Sequence, residues 1–179
     1  MHLFTKIAIA ALIATAPTAV HATDLLTVPT SGSQGLPIAD SGFDWNGFYA
    51  GVFGAGQSSS IGGTQFGLGF DLGTNARLEF VLIGAEVSVR GLGAGAALNA
   101  YGEVVGRAGL ALTDNAILYA AGGLGASFTG PSESDALLGG GVELALADGF
   151  SVDARYLHGF PITGANPKDQ ITIGANFHF

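Results

Sequence analysis

The last stretch of the chain alternates strictly between apolar and polar positions. Ile171, Ile173, Ala175, Phe177 and Phe179 fall on one side of an extended strand, and the positions between them carry Gln, Thr, Gly, Asn and His. This period of two indicates a strand whose two faces meet different environments. An unpaired apolar strand would invite aggregation in water. The pattern therefore favours a strand that closes a barrel and turns its apolar face to lipid.

Seven earlier segments alternate in a similar way and are separated by residues that favour turns. The eight predicted strands cover about residues 45–54, 64–72, 80–90, 100–112, 116–128, 138–146, 150–159 and 170–179. Segments of about ten residues suit tilted membrane-spanning strands. The predicted fold class is therefore all-β, an eight-stranded antiparallel up-and-down transmembrane β-barrel.

The predicted connections are of two kinds, and the two kinds alternate along the chain. Tight turns are expected at residues 73–76, 113–115 and 147–149, where Gly, Asn and Asp tolerate a positive φ. Longer connections are expected at residues 55–63, 91–99, 129–136 and 160–169. Membrane barrels place short turns on the periplasmic side and longer loops outside. The sequence thus predicts the short turns at the periplasmic end.

The first forty-odd residues differ in character from the rest. Residues 1–22 read as a signal peptide, with Lys6 before a short apolar core and small residues at the cleavage positions. A membrane-anchoring helix is the alternative, but the apolar run is short and Pro17 interrupts it. Residues 23–42, rich in Gly, Ser and Pro, read as a periplasmic linker. Residues 43–179 then form the predicted barrel domain.

Composition narrows the class of protein further. Charged residues make up 11% and hydrophobic residues 48% of the chain, whereas ordinary soluble domains carry roughly 25% charge. A soluble barrel with so few charges would have an apolar exterior, so the apolar strand faces are expected to meet lipid. The formal net charge of −8 disfavours nucleic acid as a partner. The absence of cysteine excludes disulfides and thiolate metal sites.

The inward faces of the predicted strands carry most of the charge. Three arginines share this face with five carboxylates, and the predicted lumenal charge network is Asp71, Glu86, Arg90, Glu103, Arg107, Glu143, Asp153 and Arg155. A charge withdrawn from water is tolerated only when it is paired and hydrogen-bonded. A salt-bridged filling of the lumen is the favoured interpretation, because eight strands enclose a space just wide enough for side chains. A proton or ion relay is the alternative.

Aromatic side chains are predicted to form two interfacial belts. Trp45, Tyr49 and Phe150 are expected near the periplasmic interface, and Phe128 and Tyr156 near the outer one. Stacking of these rings on a sugar is the alternative interpretation.

Three short patterns occur in order and carry a family resemblance. They are W-x-G-F-Y-x-G from Trp45, G-G-x-Q-x-G from Gly62, and R-x-G-L-A from Arg107. Together they resemble the small, porin-like outer-membrane β-barrels of alphaproteobacteria, over about residues 43–179. The resemblance implies an eight-stranded barrel similar to the OmpA transmembrane domain, with a role in the cell envelope. Phe177 and Phe179 resemble the terminal signal that such proteins present to the barrel-assembly machinery.

No catalytic, metal-binding or cofactor-binding residues are predicted. The run from Tyr156 to Phe160 partly resembles lipid A deacylases, which are also eight-stranded barrels and need a serine two residues after a histidine. Phe160 stands in that position after His158. A nucleophile, a base and an orienting acid are all required for such chemistry. The pattern therefore disfavours this enzyme class.

The sequence predicts a non-enzymatic structural protein of the Gram-negative outer membrane, exported through the periplasm. Its expected partners are outer-membrane lipid, lipopolysaccharide and the barrel-assembly machinery. Its expected role is cell-envelope integrity, together with surface interactions. A narrow channel for small solutes and a lipid A-modifying enzyme are the alternatives. The sequence leaves the oligomeric state open.

Overall fold

The computed structural model describes residues 42–60, 63–94, 97–129 and 133–179. Within them eight strands follow one another, each antiparallel to the next, and the last pairs with the first to close a barrel. The strands are β1 (Gly47–Ser59), β2 (Gly63–Leu78), β3 (Val81–Ala94), β4 (Ala97–Thr113), β5 (Ala116–Ser127), β6 (Ser134–Ala147), β7 (Phe150–Thr163) and β8 (Lys168–His178). The predicted fold class is confirmed. The predicted signal peptide and nearly all of the predicted linker lie outside the described residues.

Strand β8 closes the barrel as its alternation predicts. It pairs with β1 from Tyr49 opposite His178 to Ser59 opposite Lys168, and with β7 on its other edge. Its residues alternate between buried and exposed along its whole length. Both edges of β8 are therefore hydrogen-bonded, which removes the unpaired edge that would otherwise aggregate.

The outer surface of the barrel is apolar. Large exposed side chains occur on every strand, among them Phe48, Phe70, Val104, Leu124, Leu138 and Ile173. Apolar side chains outside and polar side chains inside are the arrangement of a membrane barrel, the inverse of a soluble one. No helix of the described residues is long and apolar enough to cross a membrane.

One predicted turn is wrong. Residues 73–76 were expected to end the second strand, but β2 continues to Leu78 and turns at Glu79, whose φ is 57°. Gly73 faces the lumen, where a Cβ would overlap the Tyr49 ring. Asn75 accepts a hydrogen bond of 3.0 Å from Nε of Arg107. Glycine and asparagine are also the residue types of tight turns. Here Gly73 is required by close packing against Tyr49, and Asn75 serves as a lumenal hydrogen-bond acceptor.

The predicted long connections are also wrong in extent. The strands run further than expected, so that only residues 60–62, 95–96, 128–133 and 164–167 separate them. Glycine-rich segments such as residues 91–94 continue the ladder, with Leu92 opposite Asn99. The end of the barrel that carries these connections is called the loop end. The other end, called the turn end, carries Gly47, His178 and the three two-residue turns at residues 79–80, 114–115 and 148–149.

Apolar side chains fill part of the interior. One buried cluster contains Trp45, Leu82, Val105, Ile117, Tyr119, Ala121, Leu137 and Leu157, and a smaller one contains Phe53, Ala55 and Leu92. These side chains occupy the lumen together with the charged groups described below. The lumen is therefore a packed interior, as expected of eight strands.

Candidate functional site: the charged lumen

Each of the three lumenal arginines forms a buried ion pair with one glutamate. Nη1 of Arg90 lies 2.8 Å from Oε1 of Glu103, and Nη1 of Arg107 lies 2.9 Å from Oε2 of Glu143. Nη1 of Arg155 lies 2.6 Å from Oε1 of Glu86. All six side chains are buried. Guanidinium suits such a site because it stays charged and offers several donors to a carboxylate.

Glu143 is the most extensively bonded carboxylate of the lumen. Besides the Arg107 pair, its Oε1 accepts 2.6 Å from the Ser151 hydroxyl and 3.2 Å from the Asn176 amide. Nε2 of His178 lies 3.2 Å from the same oxygen. Strands β4, β6 and β7 each contribute one of these side chains and β8 contributes two, which ties opposite walls of the barrel together. Ser151 and Asn176 are not members of the predicted charge network, although both lie on the inward-facing side of their alternating strands.

Two predicted interface aromatics are not at an interface, and that prediction is wrong for them. Tyr49 is 1% exposed and Trp45 is not exposed at all. The Tyr49 hydroxyl donates to Oε2 of Glu86 at 2.8 Å, and the Arg107 guanidinium lies 4.7 Å from the Tyr49 ring centre. A buried phenol needs such a hydrogen-bond partner. The lumenal carboxylates provide an acceptor for the Tyr49 hydroxyl, whereas lipid acyl chains have none.

Trp45 closes the turn end of the lumen. It precedes β1, its ring packs 4.5 Å from that of Phe43 and 5.7 Å from that of His178, and its indole N–H donates to the Asp114 carbonyl at 3.0 Å. The backbone N–H and the side-chain amide of the neighbouring Asn46 both donate hydrogen bonds to Oδ1 of Asp44. These bonds hold the pKa of the exposed Asp44 carboxyl below its usual range. The segment before β1 thus plugs the barrel.

The other three predicted interface aromatics lie on the outside. Phe150 is exposed at the turn end, and Phe128 and Tyr156 are exposed toward the loop end. Phe177 and Phe179, the predicted assembly signal, also face outward, and the Phe179 backbone exchanges hydrogen bonds with that of Phe48. Their role as a signal remains a prediction.

A second ion cluster, which is not part of the predicted network, lies toward the loop end. Nζ of Lys168 lies 2.7 Å from Oε2 of Glu133 and 2.8 Å from Oδ2 of Asp135. The Tyr101 hydroxyl donates to Asp135 at 2.6 Å. Lys168 and Asp135 lie within predicted loops, where strand alternation makes no prediction about which residues face inward. Longer strands bring them into the lumen.

Asp71 and Asp153 also face the lumen, as the alternation places them, but neither forms an ion pair within the part of the chain that the structure describes. The basic side chains of the described residues are all engaged elsewhere, because Arg77 pairs with Asp114 at 3.9 Å and the other four have the partners named above. The predicted network of eight residues is thus three ion pairs and two carboxylates without a cationic partner.

Ser151, His178 and Glu143 bring together the residue types of a catalytic triad without its geometry. Nε2 of His178 lies 3.0 Å from the Ser151 oxygen, but the same nitrogen also faces Glu143. A triad uses one imidazole nitrogen for the nucleophile and the other for the acid. The group is buried beneath Trp45, out of reach of a lipid substrate. No group of three or more acidic or histidine side chains among the described residues is arranged to hold a metal.

Outside the barrel, toward the loop end, lies a second His–acid pair. Nδ1 of His158 lies 2.8 Å from Oδ1 of Asp169, and the Tyr156 hydroxyl donates to the same oxygen at 2.6 Å. The Phe160 ring packs 4.6 Å from the imidazole. The base and acid that the deacylase comparison requires are therefore in place, whereas a phenyl ring stands where a nucleophile would be needed.

Solved structures of outer-membrane proteins share this fold. Ail, the attachment invasion locus protein of Yersinia pestis, matches with a TM-score of 0.58 at 16% identity, over 75% of this chain and 99% of that one. Neisserial surface protein A matches with a TM-score of 0.51 at 15% identity, over 74% and 97%. No protein-family model matches the chain, and no curated protein matches its sequence.

These similarities define the class of protein as an eight-stranded outer-membrane β-barrel. At such identities the likeness extends to the fold alone, and it gives no support to an alphaproteobacterial origin. The fold and the apolar outer surface together assign the chain to the outer membrane of a Gram-negative bacterium.

Proposed function

We propose that this chain is a structural outer-membrane barrel that contributes to cell-envelope integrity and performs no catalysis. The observation that carries the proposal is the filled lumen, in which three arginine–glutamate pairs tie strands together and Trp45 covers the turn end. A packed, ion-paired interior and an apolar outer surface support the role of a scaffold. The alphaproteobacterial, porin-like affiliation suggested by the short motifs is part of this proposal.

The short connections at the loop end limit the surface that could contact other molecules outside the cell. Residues 60–62, 95–96, 128–133 and 164–167 offer little chain for an adhesive surface. Ail has been solved in complex with the heparin analogue sucrose octasulfate. In this chain Lys168 is buried against Glu133 and Asp135, so it presents no positive charge at the described loop-end surface, whereas the Asp169 carboxylate is exposed there. Such a surface disfavours polyanions, so direct contacts with lipopolysaccharide are expected through its acyl chains rather than its phosphates.

A deletion strain tests the envelope role. We expect the strain to admit large antibiotics and detergents that the intact outer membrane excludes, and we expect the wild-type gene to restore the barrier. His158→Ala should restore it equally, because a structural role does not use that imidazole. An unchanged barrier in the deletion strain would contradict the proposal.

A narrow channel is the first alternative. Reconstitution of the purified barrel in planar bilayers tests it, and the packed lumen predicts flat current traces at high protein load. Discrete conductance steps in the wild-type protein would favour the channel instead.

A lipid A-modifying enzyme is the second alternative, and the His158–Asp169 pair is the observation that favours it. Incubation with lipopolysaccharide followed by mass spectrometry of lipid A tests it. Because Phe160 replaces the nucleophile, we expect unaltered acyl chains. Loss of an acyl chain with the wild-type protein, but not with His158→Ala, would establish the enzyme.

A further inference from the structure

Negative charge exceeds positive charge around the middle of the lumen. Asp71 is close enough to interact electrostatically with Glu86, Asp153, Arg155 and Arg107. Asp153 interacts in the same way with Glu86, Glu143, Arg155 and Arg107. Four carboxylates therefore share two guanidiniums. The formal charges of these six side chains sum to −2, and bound protons or a bound cation must offset this excess. Burying an uncompensated charge costs several kcal/mol.

Unpaired oxygen atoms converge at one point of this region. Gly51 lies between Asp71 on β2 and Asn176 on β8 in the strand ladder. Because Gly51 has no side chain, Oδ1 of Asp71 and Oδ1 of Asn176 reach over its Cα, both within contact of the position that a Cβ would take. The backbone oxygen of Ala175 lies 3.1 Å from that position. Neither Oδ1 atom has a hydrogen-bond partner among the described residues, although Asp71 is only 6% and Asn176 only 3% exposed.

The orientation of the Asn176 amide follows from its other contact. Its nitrogen donates to Oε1 of Glu143 at 3.2 Å. Turning the amide over would place its oxygen against a carboxylate that already accepts from Ser151 and Arg107, and two acceptors would then face each other. The amide oxygen is therefore directed toward Asp71. Two buried acceptors that meet without a donor require a positively charged or donating occupant.

We propose that a monovalent metal cation binds in the lumen between Asp71 and Asn176. A carboxylate, an amide oxygen and a backbone carbonyl are hard oxygen ligands suited to such an ion. Only one carboxylate reaches this point, because the Asp153 oxygen lies beside Gly174 instead. A monovalent ion therefore fits better than a divalent one, in keeping with the lack of a three-acid cluster in the described chain.

The test compares the thermal unfolding of the refolded full chain in sodium chloride and in choline chloride at equal ionic strength and fixed pH. A site with a dissociation constant of about 10 mM would favour the folded state about 11-fold at about 100 mM sodium. We expect the midpoint temperature to rise with sodium in a saturable way in the wild-type barrel. Asp71→Asn should abolish the rise, whereas the matched control Asp148→Asn, in an exposed turn, should keep it.

Line broadening of ²³Na resonances by the wild-type barrel gives a second measurement. It does not depend on the variant, so it can be made even if Asp71→Asn fails to refold. Saturable broadening supports the site. Equal midpoints in sodium and choline, together with no broadening, would overturn it. A midpoint that responds to pH but not to sodium would also overturn it, because a proton would then occupy the place assigned to the ion.

Discussion

Arg107 and Glu143 form a salt bridge of 2.9 Å between strands β4 and β6, and both side chains are at least nine-tenths buried. Strands β4 and β6 are not neighbours in the sheet, because β5 lies between them. The bridge therefore crosses the lumen instead of running along the wall. Arg107 also donates from Nε to Asn75 on β2, so one guanidinium joins three strands.

Removing Arg107 should destabilise the barrel strongly. Arg107→Met leaves Glu143 as a buried charge without its cation, and breaking a buried pair from one side costs about 3–5 kcal/mol. The double variant Arg107→Met, Glu143→Gln should lose less, because it leaves no unpaired carboxylate there. Heat-modifiability on gels measures the unfolding temperature of each. Unchanged melting of the single variant would contradict the lumenal role of Arg107.

Trp45→Ala should also lower the thermal stability. The indole fills the turn end and has no exposed surface, and removing a buried aromatic side chain costs about 3–5 kcal/mol. Phe48→Ala is the matched control, since that nearby ring is 62% exposed on the lipid-facing surface. Equal midpoints for the two variants would show that the segment before β1 does not seal the barrel.

Two glycine substitutions should differ although each adds one methyl group. A Cβ at Gly73 would overlap the Tyr49 ring, whereas at Gly106 the nearest atom lies at 3.8 Å, an ordinary contact. Overpacking of this kind costs about 1–3 kcal/mol. Gly73→Ala should therefore melt earlier or refold in lower yield than Gly106→Ala. Indistinguishable melting would mean that the Tyr49 ring can move aside.

The orientation in the membrane can be tested with introduced thiols, because the chain has no cysteine. Ser60→Cys lies at the loop end and Asp148→Cys at the turn end, and both positions are exposed. A membrane-impermeant maleimide should label the first in intact cells and the second only after permeabilisation. The opposite result would invert the orientation expected from the turn lengths.

The Phe179→Ala variant tests whether Phe179 acts as an assembly signal or as a structural contact of the folded barrel. The Phe179 side chain is 69% exposed, so its loss should leave the stability of the refolded barrel nearly unchanged. The amount of folded barrel in the outer membrane of cells should fall. Phe80→Ala, at another exposed aromatic of the turn end, serves as control. Equal amounts of both variants in the membrane would contradict the signal.

Period-two alternation was enough to predict the strand number, the closed barrel and which side chains face inward. It succeeded because each strand meets lipid on one face and a polar lumen on the other. It failed where one residue type serves two purposes: Gly73 and Asn75 resemble a turn but pack inside β2. Trp45 and Tyr49 match an interfacial belt by composition, and only the inward phase of Tyr49 reveals its burial. Which glutamate each arginine contacts depends on how far the strands are offset along one another around the barrel. The alternation within a single strand does not encode this offset.

The pairing of β1 with β8 has a consequence for biogenesis. The ladder of the first strand is completed only by the eleven residues of β8, Lys168–His178. A polypeptide that lacks this segment would keep two open edges and lose the Asn176 and His178 contacts to Glu143. Partial translation products should therefore be unable to reach a stable intermediate. Periplasmic proteases should degrade them, so that only full-length molecules accumulate in the envelope.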